Sequence, residues 1–293
     1  MKKYKICKIL LVILAIFLCV AFYELLGICV AYKKQPEVSN TTKKETKNGS
    51  WNECSENTER AVIIEKNPEA LLQRVRLIKN AKKEIILSTF AFQSDESGKL
   101  ILGALHDAAD RGVHIRLLVD GMESWIDMEG NPYFYGLSSH ENVEIKLYNK
   151  ANPLKPWKMM GRMHDKYLIA DGKRYILGGR NTYNYFLGDF PGHKNYDRDV
   201  LVVCDEPEKE NSVNQLLEYF ETIWEQEDSG YFHDNKKLAN RKSVKNAVLE
   251  LQNGYQKYFE ENKERICDTD YTDETFETEK IALVSNPIHT GPK

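Results

Sequence analysis

This sequence lacks three things, and each absence narrows what the chain can do. It has no excess of positive charge: 41 Lys and Arg stand against 44 Asp and Glu, a formal net charge of −3. A broad basic field of the kind that holds nucleic acid is therefore excluded, although a local basic groove is not. It has no cysteines with metal-ligand spacing. Cys7, Cys19 and Cys29 fall in an apolar N-terminal segment, and Cys54, Cys204 and Cys267 are scattered. This excludes a cysteine-based zinc site. Cys204 closes the apolar run 201–203 and reads as a buried thiol, whereas Cys54 and Cys267 are the pair that could bridge in an oxidising compartment. Finally, no small-residue cleavage pattern follows the N-terminal apolar run. In Leu26-Gly27-Ile28-Cys29, Ile28 stands where a lipoprotein site needs a small residue. A cleaved leader is thus disfavoured against a retained anchor.

What is present begins with that run. Lys2, Lys3, Lys5 and Lys8 precede apolar residues 9–23, Glu24 interrupts, and residues 25–32 continue up to Lys33 and Lys34. A span needs about 20 mostly apolar residues, so residues 1–33 are expected to form a single-pass anchor in the cell membrane. The leading lysines place the N-terminus in the cytoplasm and the rest of the chain outside. Residues 34–57, rich in Lys, Thr, Ser, Asn and Glu, read as a flexible stalk.

From residue 58 the pattern becomes regular. Strands are predicted at 61–64, 84–92, 113–119, 143–148, 163–170, 175–177, 199–204 and 281–284. Helices are predicted from 67, over 100–111, 206–226 and 236–265. The early alternation of strand and helix makes this an α/β fold, a mixed sheet flanked by helices. Residues 58–230 are expected to form one lobe, and 231–278 a helical and acidic linker. Residues 279–287 echo 59–68: a charged pair, an apolar run, then Asn-Pro. The echo predicts that 279–293 begin a second, truncated lobe.

One constellation carries chemistry: His164-x-Lys166-x4-Asp171-x6-Gly178-Gly179-x-Asn181. On a strand, residues two apart share a face, so His164 and Lys166 project together with Leu168 and Ala170. Asp171-Gly172 is a two-residue hairpin signal. Gly178 and Gly179 permit close backbone approach, so their N–H groups are candidates to cradle a phosphate, and Asn181 offers an amide donor. A neutral imidazole beside a fixed ammonium suits attack on a phosphodiester. His-x-Lys-x4-Asp alone would arise by accident in roughly one chain in fifty of this length. Adding the spaced Gly-Gly-x-Asn makes the whole pattern specific.

These residues resemble the HKD motif of the phospholipase D superfamily, and the order of elements over about 58–204 resembles that of bacterial cardiolipin synthase-like and phospholipase D-like membrane proteins. The resemblance implies a phospholipase D-type lobe and a two-step reaction without metal or cofactor. His164 would form a phosphohistidine, and the His of a second motif would protonate the leaving alcohol. Water or another alcohol would then release the phosphoryl group. Lys166 and Asn181 match phosphate ligands, Asp171 matches the acidic position of the motif, and Asp199 matches an acid that orients a catalytic His. The sequence departs from the pattern in one respect: none of His106, His114, His140, His193, His233 and His289 has Lys two later and Asp seven later. The second motif is expected from another lobe, either of a longer chain or of a homodimer partner.

Residues 150–162 mix Lys and Arg with Trp and Met, which suits an anionic interface, so Trp157, Lys158 and Arg162 are candidate membrane or substrate contacts. Tyr183, Tyr185, Phe186 and Phe190 crowd one loop and are candidates to line an acyl groove. The expected substrate is a membrane phospholipid such as phosphatidylglycerol. A nuclease of the same superfamily is the alternative, with the acidic balance against it. A third reading is an anchored lobe without a complete site.

Overall fold

The computed structural model describes residues 2–33, 40, 43–44, 59–204, 211–233, 236–278 and 281–285. The stalk reading of 34–57 falls almost wholly outside these residues, as does Cys54. Helix α1, Lys2–Lys33, is the one described helix long and apolar enough to cross a membrane. The rest is built on a nine-stranded sheet in the order β8-β4-β3-β2-β5-β6-β7-β1-β9.

Strands β2 (Glu84–Thr89), β3 (His114–Asp120) and β4 (Val143–Tyr148) are parallel neighbours. One face is apolar throughout, with Ile85, Leu87, Ile115, Leu117, Val143 and Ile145, whereas the other mixes Ile86 and Leu118 with Arg116, Glu144 and Lys146. Helix α2 (Asn67–Asn80) leads into β2, α3 (Glu96–Asp110) joins β2 to β3, and two short helices, α4 (Gly121–Asp127) and α5 (Pro132–Ser138), join β3 to β4. Helix starts are written locally. Pro68 opens α2, where its missing N–H costs nothing. Asp95, Asp120 and Asn131 cap α3, α4 and α5 through their side chains.

The other half is antiparallel: β5 (Tyr167–Ala170), β6 (Arg174–Gly178), β7 (Asp199–Val203) and β1 (Glu59–Ile64). One face of the sheet buries a core with α2, α3, α5 and α8 (Lys242–Glu261), including Leu87, Leu117, Leu168 and Leu251. The opposite face packs Tyr167, Ile169 and Val202 against Phe220 and Trp224 of α6 (Ser212–Trp224).

Several expectations need correction. Strand β5 starts at Tyr167 rather than 163, so His164 and Lys166 lie in the extended lead-in to it. The alternation still holds: Asp165 turns to Tyr219 of α6, on the side of Tyr167. The hairpin loop has three residues, because Ala170 pairs with Arg174. Residues 231–278 are no linker. Strand β8 (Ser229–Tyr231) pairs with β4, and α7 (Lys236–Ala239), α8 and α9 (Lys263–Cys267) pack on the lobe. The acidic stretch carries β9 (Phe276–Thr278), which pairs with β1. Arg76 fixes this stretch through Asp268 and Glu274. Residues 281–285 form no strand. Ile281 and Leu283 pack against the α6 side, and the Leu283 N–H donates to Gln215. The remainder of the echo lies outside the described residues.

Cys204 is buried and its sulfur accepts from Asn211, while the Cys267 thiol is exposed.

Candidate active site

The register gathers the motif at one end of the sheet. The C-terminal ends of β1, β2, β3, β4 and β6 and the N-terminal ends of β5 and β7 share one edge, since Ser88 faces Tyr167, Gly178 faces Asp199, and Ile64 also faces Asp199. Parallel strands that end together leave their loops to form a crevice, the usual place for an α/β site.

His164 is exposed at this edge and Lys166 is buried. Between them stands Phe90, one residue past β2. Its ring meets the His164 imidazole edge-on at 4.6 Å between centroids. The Lys166 Nζ lies 5.3 Å from the same ring centre and the Arg162 guanidinium 5.0 Å from it. The aromatic face attracts both cations and keeps the imidazole from rotating freely. Lys166 donates to the His164 carbonyl at 2.7 Å, which locks the lead-in segment.

Burial governs the electrostatics. It lowers the Lys166 pKa from 10.5 to about 8, against the pull of Asp165 and Asp197. Burial and the nearby Lys166 charge also hold His164 below its ordinary 6.5. At neutral pH the imidazole is therefore uncharged and the ammonium still protonated, the pair of states a nucleophile and its phosphate-binding neighbour require. Burial pushes the pKa of Asp165, on the other face, above its ordinary 3.8, while Tyr219 donates to it at 2.8 Å.

The other motif residues have separate tasks. Asp171 stands in the left-handed region and accepts from the N–H groups of Lys82, Lys83 and Glu84 at 2.7–3.1 Å. It pins the start of β2 to the hairpin, far from His164 along the strand. Asn181 accepts from the Ala91 N–H through Oδ1, which leaves its Nδ2 as the donor end. The expected glycine cradle is absent: the Gly178 N–H donates to the Lys166 carbonyl and the Gly179 N–H to that of Arg198. These positions need glycine for a different reason. A side chain at 178 would collide with the Asp199 carboxylate, and one at 179 with that of Asp197.

Asp199 does not approach His164. It is fully buried between Arg74, at 3.0 Å, and Arg180, at 3.2 Å, both bonded to its Oδ2. Arg180 also donates to the Ile64 and Glu65 carbonyls and to Asn67, tying the β1–α2 turn to the motif. Asp197, two residues earlier and only half-buried, is the carboxylate that faces the open side over Gly179.

Of the expected contact residues, Arg162 belongs to the site. It bonds Asp120 at 2.7 Å and Glu123 at 3.0 Å, and the same Asp120 accepts from the Met163 N–H. Lys158 is engaged by Asp228 at 3.1 Å, and the Trp157 backbone lies against α1. Tyr183 is half-buried: it stacks on Tyr185, meets Phe186 edge-on and packs against the main core. Sequence reasoning missed Phe90, Arg74 and the clamp made by Asp120. Only Asp120 carried a signal, as an acid ending a parallel strand.

The motif edge and the sheet around it are matched by comparison with known proteins. The family model described as "Cardiolipin synthase, PLD-like domain" matches residues 74–224. An uncharacterized protein of Helicobacter pylori strain J99 is 30% identical over 212 residues, 67% of this chain and 39% of that protein. Cardiolipin synthase C of Escherichia coli K12 is 29% identical over 171 residues, 54% of this chain and 34% of that protein. Among solved structures, NucT from Helicobacter pylori aligns with a TM-score of 0.47 and 18% identity, covering 59% of this chain and 99% of that one. The chain thus spans about two fifths or less of the curated relatives it matches. With just over half its length matched by the family model, the chain belongs to the cardiolipin synthase PLD-like domain family, within the phospholipase D superfamily of phosphodiester-processing enzymes.

Proposed function

We propose that this chain supplies one half of a phosphodiesterase or phosphatidyltransferase site that acts on membrane phospholipid through a phosphohistidine at His164. The observation that supports it best is the uncharged, exposed imidazole held on Phe90 beside a buried ammonium. In this reading the imidazole attacks phosphorus while Lys166 and the Asn181 amide balance the charge that develops on the phosphoryl oxygens. The phosphorus–oxygen bond to the leaving alcohol breaks as the histidine of a second motif gives that oxygen a proton. Water then yields phosphatidic acid, or an alcohol yields a new phosphodiester, and the histidine is released. The second motif comes from another lobe, in a longer form of this chain or in a second copy. The acid that orients its histidine is Asp197 rather than Asp199, because the two arginines already hold Asp199. Helix α1 spans the membrane with its lysine-rich end in the cytoplasm, and the lobe lies outside, facing phosphatidylglycerol or a similar lipid.

The test is turnover of phosphatidylglycerol vesicles by the full chain, beside His164→Asn, with oligomeric state from light scattering and mass analysis of protein quenched in alkaline denaturant, which preserves a phosphorus–nitrogen bond. The expected result is loss of turnover by at least about 10⁴-fold in the variant and a phosphatidyl adduct on His164 in the parent. Turnover indifferent to His164, or cleavage of DNA in place of lipid, would overturn the reading.

A further inference from the structure

We infer that the upper turns of α1 are a docking element rather than a tether, and that they seat the catalytic edge in the headgroup layer with Trp125, Ile126, Leu154 and Met160 inserted into the bilayer surface. The inference rests on the reading of α1 as a membrane span.

The helix is longer than a bilayer needs. It has 32 residues, about 48 Å at 1.5 Å per residue, whereas the hydrocarbon core is about 30 Å thick. A span beginning at Tyr4, with the Lys5 and Lys8 side chains reaching back to the headgroups, is complete near Tyr23, and Glu24 follows at once. Tyr23 then stands at interface depth, where its amphipathic ring is favoured, and the turns above it leave the lipid. Those turns touch the lobe. Tyr23, Gly27 and Ala31 are four residues apart and share one face of the helix. The Tyr23 hydroxyl donates to the Leu154 carbonyl at 2.8 Å. Gly27 and Ala31 are buried while the span below them is exposed. At Gly27 any side chain would enter the Pro156 ring, so the glycine is what lets the helix lie against the Pro156–Lys158 turn.

That contact sets the depth of the loop. Leu154 bonds to Tyr23 and is therefore held at the level of the headgroups, with its side chain 78% exposed. Three further large apolar side chains are exposed around the same loop: Trp125, Ile126 and Met160. Trp125 lines one hollow with Lys150 and Ala151, and Met160 precedes Arg162, which bonds Glu123 of α4. Four such groups beside a membrane span, with Lys155 exposed among them, match an interfacial surface in which apolar groups enter the lipid and cations meet anionic headgroups. Two residues beyond Arg162 is His164. The lipid phosphate thus reaches the imidazole without leaving the headgroup layer.

The experiment places the full chain in phosphatidylglycerol vesicles whose acyl chains carry bromine, and reads tryptophan quenching. Strong quenching is expected in the parent, with a clear fall in Trp125→Phe and in Gly27→Leu, the second variant keeping the apolar span while opening the dock. Absence of quenching at Trp125, or quenching unchanged in Gly27→Leu, would overturn the inference, and neither readout needs turnover. In a parallel assay, Gly27→Leu is expected to lower vesicle turnover by at least about tenfold while leaving a water-soluble short-chain phosphodiester unaffected. Equal loss on both substrates would refute docking as the cause. Absence of turnover in the parent on either substrate would count against the catalytic proposal alone, with the quenching still deciding this one.

Discussion

Two groups of charges lie at the same end of the sheet, one wholly buried and the other buried at Lys166 but exposed at His164. In the first, Asp199 faces Arg74 and Arg180, and the guanidinium groups spend their remaining donors on the carbonyls of Ala70, Ile64 and Glu65. In the second, Lys166 is buried with a backbone carbonyl as its bonded partner, and His164 has an aromatic ring for a neighbour. The first group locks its carboxylate between two guanidinium groups and serves the fold. In the second the ammonium bonds a backbone carbonyl, which leaves it available to a phosphate. The difference teaches that the cations of the fold share a buried carboxylate, whereas among the described residues the motif's cation has none bonded to it.

Lys166→Met breaks the second group most sharply. Turnover should fall by about 10³-fold, yet stability should hold or rise, because a desolvated ammonium is replaced by an apolar chain of similar size. Vesicle turnover and chemical denaturation check the two halves of that statement. Asp199→Asn attacks the first group and should do the reverse. Leaving two buried guanidinium groups facing an uncharged amide costs about 3–5 kcal/mol in denaturation, while the fraction that remains folded keeps its turnover.

A pH series sharpens the comparison. The proposed mechanism requires His164 uncharged and Lys166 charged, so the profile of kcat/KM should rise at a pH below 6.5 and fall near 8. In Lys166→Arg the alkaline fall should disappear. The sign for stability is opposite to that of an ordinary ion pair. The folded Lys166 pKa, about 8, lies below its unfolded value of 10.5. Between those values the unfolded chain binds more protons, so stability increases with pH through that window, by roughly 3 kcal/mol in full. The difference in denaturation free energy between the parent and Lys166→Met, followed from pH 7 to 11, isolates this contribution. Smallest should be Asp171→Ala, which removes the acceptor of three N–H groups and places alanine in a left-handed conformation. A loss of about 2 kcal/mol in stability is expected, with turnover per folded molecule unchanged.

How far the sequence foretold these two groups differs in the same way. His164, Lys166, Asp171 and Asn181 are close in the chain, and a strand or hairpin of fixed period carries spacing directly into space. The parallel strands and α2 and α3 were legible because their apolar periods are long and their starts are written in Pro68 and Asp95. Arg74 and Asp199 are 125 residues apart and meet only through the packing of α2 over the sheet, and no local pattern encodes such a pairing. Gly178 and Gly179 were recognised as special but assigned the wrong reason, because a glycine signals proximity without saying whether ligand or protein comes near. Strands β8 and β9 escaped notice since three residues show no period. The stretch 268–278 looked structureless because it is held by arginines of distant elements, Arg60 and Arg76, rather than by its own apolar content. Phe90 sits inside the predicted strand 84–92 like any other apolar residue, and only the arrival of the lead-in to β5 beside it makes it a platform.

Those two short strands have an effect on how the molecule meets its own kind. Each caps an end of the sheet with three residues, and β8 and β9 are both too brief to template another strand. Ribbon-to-ribbon growth, the common route by which sheet proteins clump when crowded in two dimensions, is thereby closed at both ends. On the proposed reading of α1 as a membrane span, confinement to a plane concentrates such lobes, so self-association is steered away from the sheet margins, and encounters that last use side-chain surfaces such as the loop-built rim around His164. Crowding in the plane of the membrane would then favour contacts that bring reactive rims together over contacts that bury them in aggregates.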